Sequence, residues 1–387
     1  MHTEDFRERI WAEIDLDALC YNFTQIKGLL KPQTRVLAVV KANAYGHGAV
    51  KCAQTLLEAG ADYLGVATID EAMELRNADI GAPILILGHT AEREAENLIL
   101  HNITPTVYTK AFAEALSETA VRMGKQIPIH IKVNTGMERI GFGTDETETI
   151  LSVCRLPGLV IEGLFTHLAC ADEAASSGVH RQYERFMAVV EALEAAGISI
   201  PIRHILNSAG VFEFPQYQLE MVRLGIVLYG YYSSTLIHRE RAALKPVMTI
   251  KGRVTHLHTV PAGAGVSYGW SYVAHQPTLA ATVPIGYADG YSRRLSNRAC
   301  MIANGKRVPI IGKICMDQCM IDVSSVHTIT VGDEITIIGG GEAAITADEL
   351  AALSDTISYE ILCAIGRRIP RLYFKDGGIA DVLTIRQ

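Results

Sequence analysis

The chain has 387 residues, 49% of them hydrophobic and 20% charged, with a formal net charge of -7. That length allows two domains with a sizeable core, and the composition excludes a disordered chain. The acidic balance leaves no electrostatic footprint for nucleic acid, and no apolar run approaches the ~20 residues a bilayer requires.

The N-terminal "MHTEDFRERIWAEID" mixes acids and bases and reads as neither signal nor transit peptide. From about Thr34 to Gly230, short apolar runs alternate with amphipathic stretches. The runs are "RVLAVVKA", "DYLGVAT", "PILILG", "ITPTVYT", "IPIHIKVN", "LVIEGLFTHL", "IRHILNS" and "MVRLGIVLYG". Between them lie helix-like segments such as "DEAMELRNADIG", with Asp70 as candidate N-cap, Ala72 and Leu75 on one face and Gly81 closing the end. Apolar strands separated by helices imply parallel strands covered on both faces. The fold class is therefore α/β, a (β/α)8 TIM barrel, with an open doubly wound sheet as the alternative.

Beyond about Leu244 the texture changes to strand-like runs, among them "VMTIKGRVTHLHTV", "TLAATVPIGY" and "DEITIIGGG", with "ANGK" as an Asn-Gly turn. Helical spacing returns only in "TADELAALSDTISYEILCAIG". The expected division is a barrel over residues 14–244 and a mostly β domain from residues 1–13 and 245–387. "GGGE" near Gly341 lacks the following Lys-Ser/Thr of a phosphate loop and reads as a hairpin loop. Eight cysteines in apolar contexts indicate buried thiols in a reducing cytoplasm. Thirteen histidines show no HExxH spacing, and the pair His256 and His258 has no third ligand, so no metal is expected.

Barrel enzymes carry their chemistry at the carboxyl ends of the strands. Those ends carry Lys41 on the first strand, Lys132 on the fifth, His167 on the sixth, Asn207 and Ser208 on the seventh, and Arg223 with Gly225 on the eighth. Each alone has a plain reading: a solvated lysine, a core histidine, a buried ion-pair arginine. Their convergence on one rim is harder to explain by chance. Ser208 offers a hydroxyl, and Gly225 and Ile226 offer backbone N–H groups, where this fold usually binds phosphate. A phosphate at that end and an amine at Lys41 suggest pyridoxal 5'-phosphate, whose aldehyde condenses with a lysine. Burial behind "VLAVV" would favour the neutral amine, below its reference pKa of about 10.4.

The segments "AVVKANAYGHGA", "KVNTGMERIGF", "GLFTHLACAD", "NSAG", "VRLGIVLYG", "VSYG", "VPIGYADGYSR" and "GKICMDQCMIDV" resemble, in order, the alanine racemases of the fold type III pyridoxal phosphate enzymes. The similarity runs from about Ile14 to Tyr373. It implies interconversion of L- and D-alanine, supply of D-alanine for peptidoglycan, and a homodimer with shared active sites. Lys41 would hold the cofactor and act as one base, and the partner subunit's Tyr268 as the other. Tyr45, His167, Asn207, Ser208, Arg223, Gly225 and Ile226 match cofactor-binding positions. Arg139, Met316 and Tyr287 match substrate-side positions, with Asp317 behind Met316.

Lys132 resembles a lysine that is carbamylated in relatives and orients Arg139. Two departures stand out. Asn134 replaces an aspartate of many relatives, and Arg367 stands where some have a phosphate-contacting tyrosine. Arg367 either pairs with phosphate or points away and leaves space near the substrate, and the second option would loosen side-chain selectivity toward serine. A serine or broad-specificity racemase is the alternative enzyme, and a cofactor-storing protein the non-catalytic one.

Overall fold

The computed structural model describes residues 6–173 and 177–384. It divides into two compact units. One comprises Leu19–Ala44 and Ala49–Lys245; the other takes the chain up to Ala18, Tyr45–Gly48, and the chain from Pro246 onward.

The first unit is a barrel of eight parallel strands. They are β1 (Arg35–Val39), β2 (Tyr63–Val66), β3 (Ile84–Ile86), β4 (Thr104–Val107), β5 (Ile127–Asn134), β6 (Leu159–Phe165), β7 (Ile202–His204) and β8 (Met221–Leu224). Hydrogen bonding runs β8-β1-β2-β3-β4-β5-β6-β7. The remaining gap is bridged where Arg223 N–H donates to the Leu206 carbonyl at 3.0 Å. At the opposite end of the same two strands, the Arg203 guanidinium pairs with the Glu220 carboxylate at 2.6 Å. This closure decides for a barrel over an open sheet.

The helices follow from their caps and apolar faces. In Lys110–Met123, Thr109 accepts from Phe112 N–H, Gly124 ends the helix at φ 62°, and Phe112, Ala113, Leu116 and Ala120 form the buried stripe. The helix expected to begin at Asp70 is Ile69–Asn77, capped by Thr68, whose hydroxyl accepts from Glu71 N–H. Asp70 sits instead in the first turn, where a carboxylate favours the helix dipole. Ala72 and Leu75 are fully buried there, and the helix stops at Ala78, before Gly81.

Every barrel strand except β5 is shorter than its apolar run, and the seventh ends at His204, leaving Asn207 and Ser208 beyond it. The sixth ends at Phe165, leaving His167 beyond it, and the eighth ends at Leu224, followed by the 3-10 turn Ile226–Tyr229.

The second unit is built on a ten-stranded, largely antiparallel sheet. Ile10–Asp15 lies inside it, antiparallel to Met248–Arg253 and parallel to Arg371–Lys375. Those two ladders are why the N-terminal segment of this unit runs to Ala18, past residue 13. Asn304 and Gly305 both have positive φ between Cys300–Ala303 and Lys306–Ile311, as a tight hairpin turn requires. The C-terminal helical stretch is two helices, Ala347–Ser354 and Ser358–Cys363, because Asp355 turns left-handed at φ 59°.

Candidate active site

Lys41 follows β1 and opens an unusual turn. Ala42, Asn43 and Ala44 all sit near φ 52–54° and ψ 46–51°, a short left-handed helix of non-glycine residues. Each such residue costs about 1–2 kcal/mol, so the neighbourhood must enforce the shape. It does so through Glu71, whose carboxylate accepts from Ala42 N–H and from Ala67 N–H, both at 2.7 Å. The Asn43 side chain accepts from Ala49 N–H at 3.0 Å and closes the turn. Val40 is fully buried, but Lys41 itself is only half-buried, unlike the shielded lysine the apolar run suggests. It has left the strand and acts on Lys132 and His167 through its charge.

That charge is positive. Burial first, then repulsion from Arg223, Arg139 and Lys41, holds the Lys132 amine well below the ordinary lysine range. Among the described residues, no ion pair joins Lys132, Arg139 or Arg223 to a carboxylate. Lys132 lies 4.3 Å above the ring of Phe165, and the Arg223 guanidinium 5.3 Å from it.

Arg223 points into the barrel and, among the described residues, donates only to neutral acceptors. These are His204 Nδ1 at 2.9 Å, His167 Nδ1 at 3.1 Å, and the carbonyls of Thr166, His204 and Ile205. Burial, then repulsion from Arg139, lowers its pKa to about 9. Because arginine has no acceptor, His167 must keep a lone pair on Nδ1 and its proton on Nε2. Burial and the surrounding cations push His167 well below the usual imidazole range, so it is neutral at pH 7. Gln182 holds the segment from behind, donating to the His167 carbonyl at 3.0 Å and accepting from Ala169 N–H at 2.9 Å.

At the expected phosphate end, Asn207 caps the helix Ser208–Glu213 by accepting from Gly210 N–H. The Ser208 hydroxyl accepts from Gly225 N–H at 2.9 Å, which ties the two loops together and leaves its own proton to donate. Ile226 begins the adjoining 3-10 turn. A ring carrying a phosphate and a phenolic oxygen suits this set. The set offers the Ser208 hydroxyl, the Lys41 amine, and the cations Arg139 and Arg223, which among the described residues pair with no carboxylate.

Tyr45, Tyr268, Tyr287 and Met316 belong to the other unit. Within it, Tyr45 is buried against Tyr359, with ring centroids 6.0 Å apart. Tyr287 and Ala288 N–H groups donate to the carbonyls of Cys315 and Met316, which sets the two expected substrate-side residues side by side. Asp317 pairs with Arg368 at 2.8 Å. Tyr268 sits in a 3-10 turn behind Ser267, whose φ of 64° is held by its hydroxyl donating to the Lys313 carbonyl at 2.6 Å. Tyr268 is 68% exposed and its neighbour Trp270 73%.

The sequence does not single out Glu71, Phe165, Gln182, the buried His130 and His204, or the partly buried Glu162. The one available signal was the presence of "HIK" and "RHI" histidines inside apolar strands. Among the described residues, no group of three or more His, Cys, Asp or Glu could hold a metal, and no helix is long and apolar enough to cross a membrane.

A family model described as "Alanine racemase, N-terminal domain" matches residues 14–233, and one described as "Alanine racemase, C-terminal domain" matches residues 247–373. An alanine racemase of Desulfosudis oleivorans is 46% identical over 94% of this chain and 96% of its own length. A solved alanine racemase of Clostridium difficile 630 superimposes with a TM-score of 0.94 at 39% identity, covering 97% of this chain and 98% of that one. The Bartonella henselae alanine racemase, solved with covalently bound pyridoxal phosphate, gives a TM-score of 0.84 at 29% identity over 95% of this chain and 99% of that one. The chain therefore belongs to the alanine racemase family of pyridoxal phosphate-dependent isomerases.

Proposed function

We propose that this protein is an alanine racemase that binds pyridoxal 5'-phosphate through Lys41 and interconverts L- and D-alanine, supplying D-alanine for peptidoglycan. The bound cofactor supplies an electron-withdrawing ring that acidifies the substrate Cα–H. The observation that carries the reading is the buried Arg223, which among the described residues donates to neutral acceptors only. Arg223 would face the ring nitrogen of the bound cofactor, and because a guanidinium does not readily yield its proton it would leave that nitrogen unprotonated. Ser208, Gly225 and Ile226, with Asn207 and Tyr45, would hold the phosphate end, the Gly225 N–H there sharing its proton between the Ser208 hydroxyl and the phosphate; Arg139, Met316 and Tyr287 would face the substrate.

Inversion at Cα requires a base on each side of its plane. Lys41 takes one face and the partner subunit's Tyr268 the other, in a homodimer with shared active sites. Two features support this. Tyr268 and Trp270 are large aromatics exposed on their own chain. His167 holds its proton on Nε2, ready to donate to a phenolic oxygen and favour the phenolate. A neutral, buried Lys132 amine is also the form that adds CO2 and releases a proton, giving a carbamate that would pair with Arg139.

A coupled assay for D-alanine formed from L-alanine tests the activity, and solvent-deuterium exchange at Cα tests the two bases. Tyr268→Phe should abolish exchange from one enantiomer and spare the other; equal loss from both would overturn the assignment. Growth of a D-alanine auxotroph carrying this chain tests the cell-wall role.

A further inference from the structure

Glu162, His130, His204 and Arg223 form an unbroken line of hydrogen bonds inside the barrel. The Glu162 carboxylate meets His130 Nε2 at 3.1 Å, His130 Nδ1 meets His204 Nε2 at 2.8 Å, and His204 Nδ1 meets Arg223 at 2.9 Å. Four different strands contribute these residues, and both histidines are fully buried. The two ends dictate every proton between them. Arginine only donates, so His204 Nδ1 is a lone pair and its Nε2 carries the proton. That proton points at His130 Nδ1, so His130 in turn is protonated at Nε2 and donates to Glu162, which as a carboxylate only accepts.

The fold makes room for this line at a cost. The β5–β6 register slips between Ile129 and His130, re-aiming the imidazole. A Cβ on Gly163 would come within 2.5 Å of the His130 ring. Filling the barrel with aliphatic side chains would need neither device.

We propose that Glu162 and His130 are positioning residues for racemisation: as the anionic end of a proton-ordered line, they lock His204 as the acceptor that orients the Arg223 guanidinium. This rests on the reading that Arg223 faces the cofactor ring. Burial holds both imidazoles below their usual range, and His130 with Tyr63 and Arg35 keeps Glu162 ionised, so the charge states agree with the order deduced from geometry.

The test is made on the holoenzyme with 15N-labelled histidine. Both His130 and His204 should give the Nε2–H pattern by long-range 1H–15N correlation. Glu162→Ala should lower kcat about 10-fold, the worth of a lost bond to a charged group, with KM within about twofold and cofactor content unchanged. Glu162→Gln, whose amide oxygen can still accept, should recover most of that loss. An Nδ1 proton on either histidine in the wild-type protein overturns the proposal, as does a Glu162→Ala kcat within twofold of wild type, or a Gln variant no better than Ala. Should Glu162→Ala fail to fold, the wild-type spectrum and the Gln variant still decide. The tautomers are read independently of turnover, so a wild-type protein with the expected spectrum but no racemisation would instead fault the functional reading.

Discussion

Phe165 lies flat against His204, with ring planes 7° apart and centroids separated by 4.6 Å, while Lys132 sits 4.3 Å above the same phenyl ring. One aromatic ring thus serves as a wall for an imidazole and a packing surface for a buried amine. Replacing it with leucine removes both contacts and leaves a void. Phe165→Leu should destabilise the protein by about 1–3 kcal/mol, read as a lower Tm or denaturant midpoint. A Tm within a degree of wild type would show that the ring is interchangeable.

Gly163 has no room for a side chain, because the His130 ring already occupies that space. Both residues are buried in adjoining strands, so neither can yield cheaply. Gly163→Ala should lose about 1–3 kcal/mol through overpacking, measured by urea unfolding. An unchanged midpoint would mean that the β6 backbone moves aside.

His130 and His204 both have imidazole pKa values lowered by burial. Below the unfolded value of about 6.5, the unfolded chain binds protons that the folded one refuses, so stability falls as pH decreases through that point. Each histidine contributes up to about 1.4 kcal/mol per pH unit there. Glu162, whose folded pKa is depressed, adds loss of the same sign below about 4.3. Tm should therefore drop between pH 7.5 and 5.5; a flat profile would contradict the neutral, buried pair.

Glu71 uses both oxygens to hold the left-handed turn after Lys41. In Glu71→Gln one oxygen becomes an amide donor facing an N–H, so one of the two bonds is lost. Stability should fall by about 1–2 kcal/mol. The fraction of protein in which borohydride fixes the cofactor to Lys41 should fall with it, read by peptide mapping. Full labelling and unchanged stability would show that the turn holds itself.

Arg367 is exposed in the turn after Ser358–Cys363. If that leaves space beside the substrate side chain, Arg367→Tyr should raise the alanine-to-serine ratio of kcat/KM about 10-fold, the scale of discrimination one small group supplies. An unaltered ratio would remove Arg367 from the specificity question.

The barrel class was legible because its signal is local and repeated. Each strand needs its own apolar run, and each helix, such as Lys110–Met123, its own cap and stripe. Family membership was legible for a similar reason, since eight short motifs survive in order along the chain. Boundaries were less so. Thr68 rather than Asp70 caps its helix, and the run through Tyr229 is strand only to Leu224, because hydrogen bonding and not hydropathy ends an element.

By itself, the sequence determined the alternation that closes a barrel, and placed Lys41, Lys132, His167 and Arg223 at or next to the ends of its strands. The tertiary structure decided how those groups act on one another: the left-handed turn that carries Lys41 out of the core, and the line from Glu162 to Arg223. Residues 130, 162, 204 and 223 are far apart in the chain and become neighbours only when β5, β6, β7 and β8 close around one interior. Charge repulsion and proton order depend on distances of a few ångströms, and spacing along a chain does not encode those.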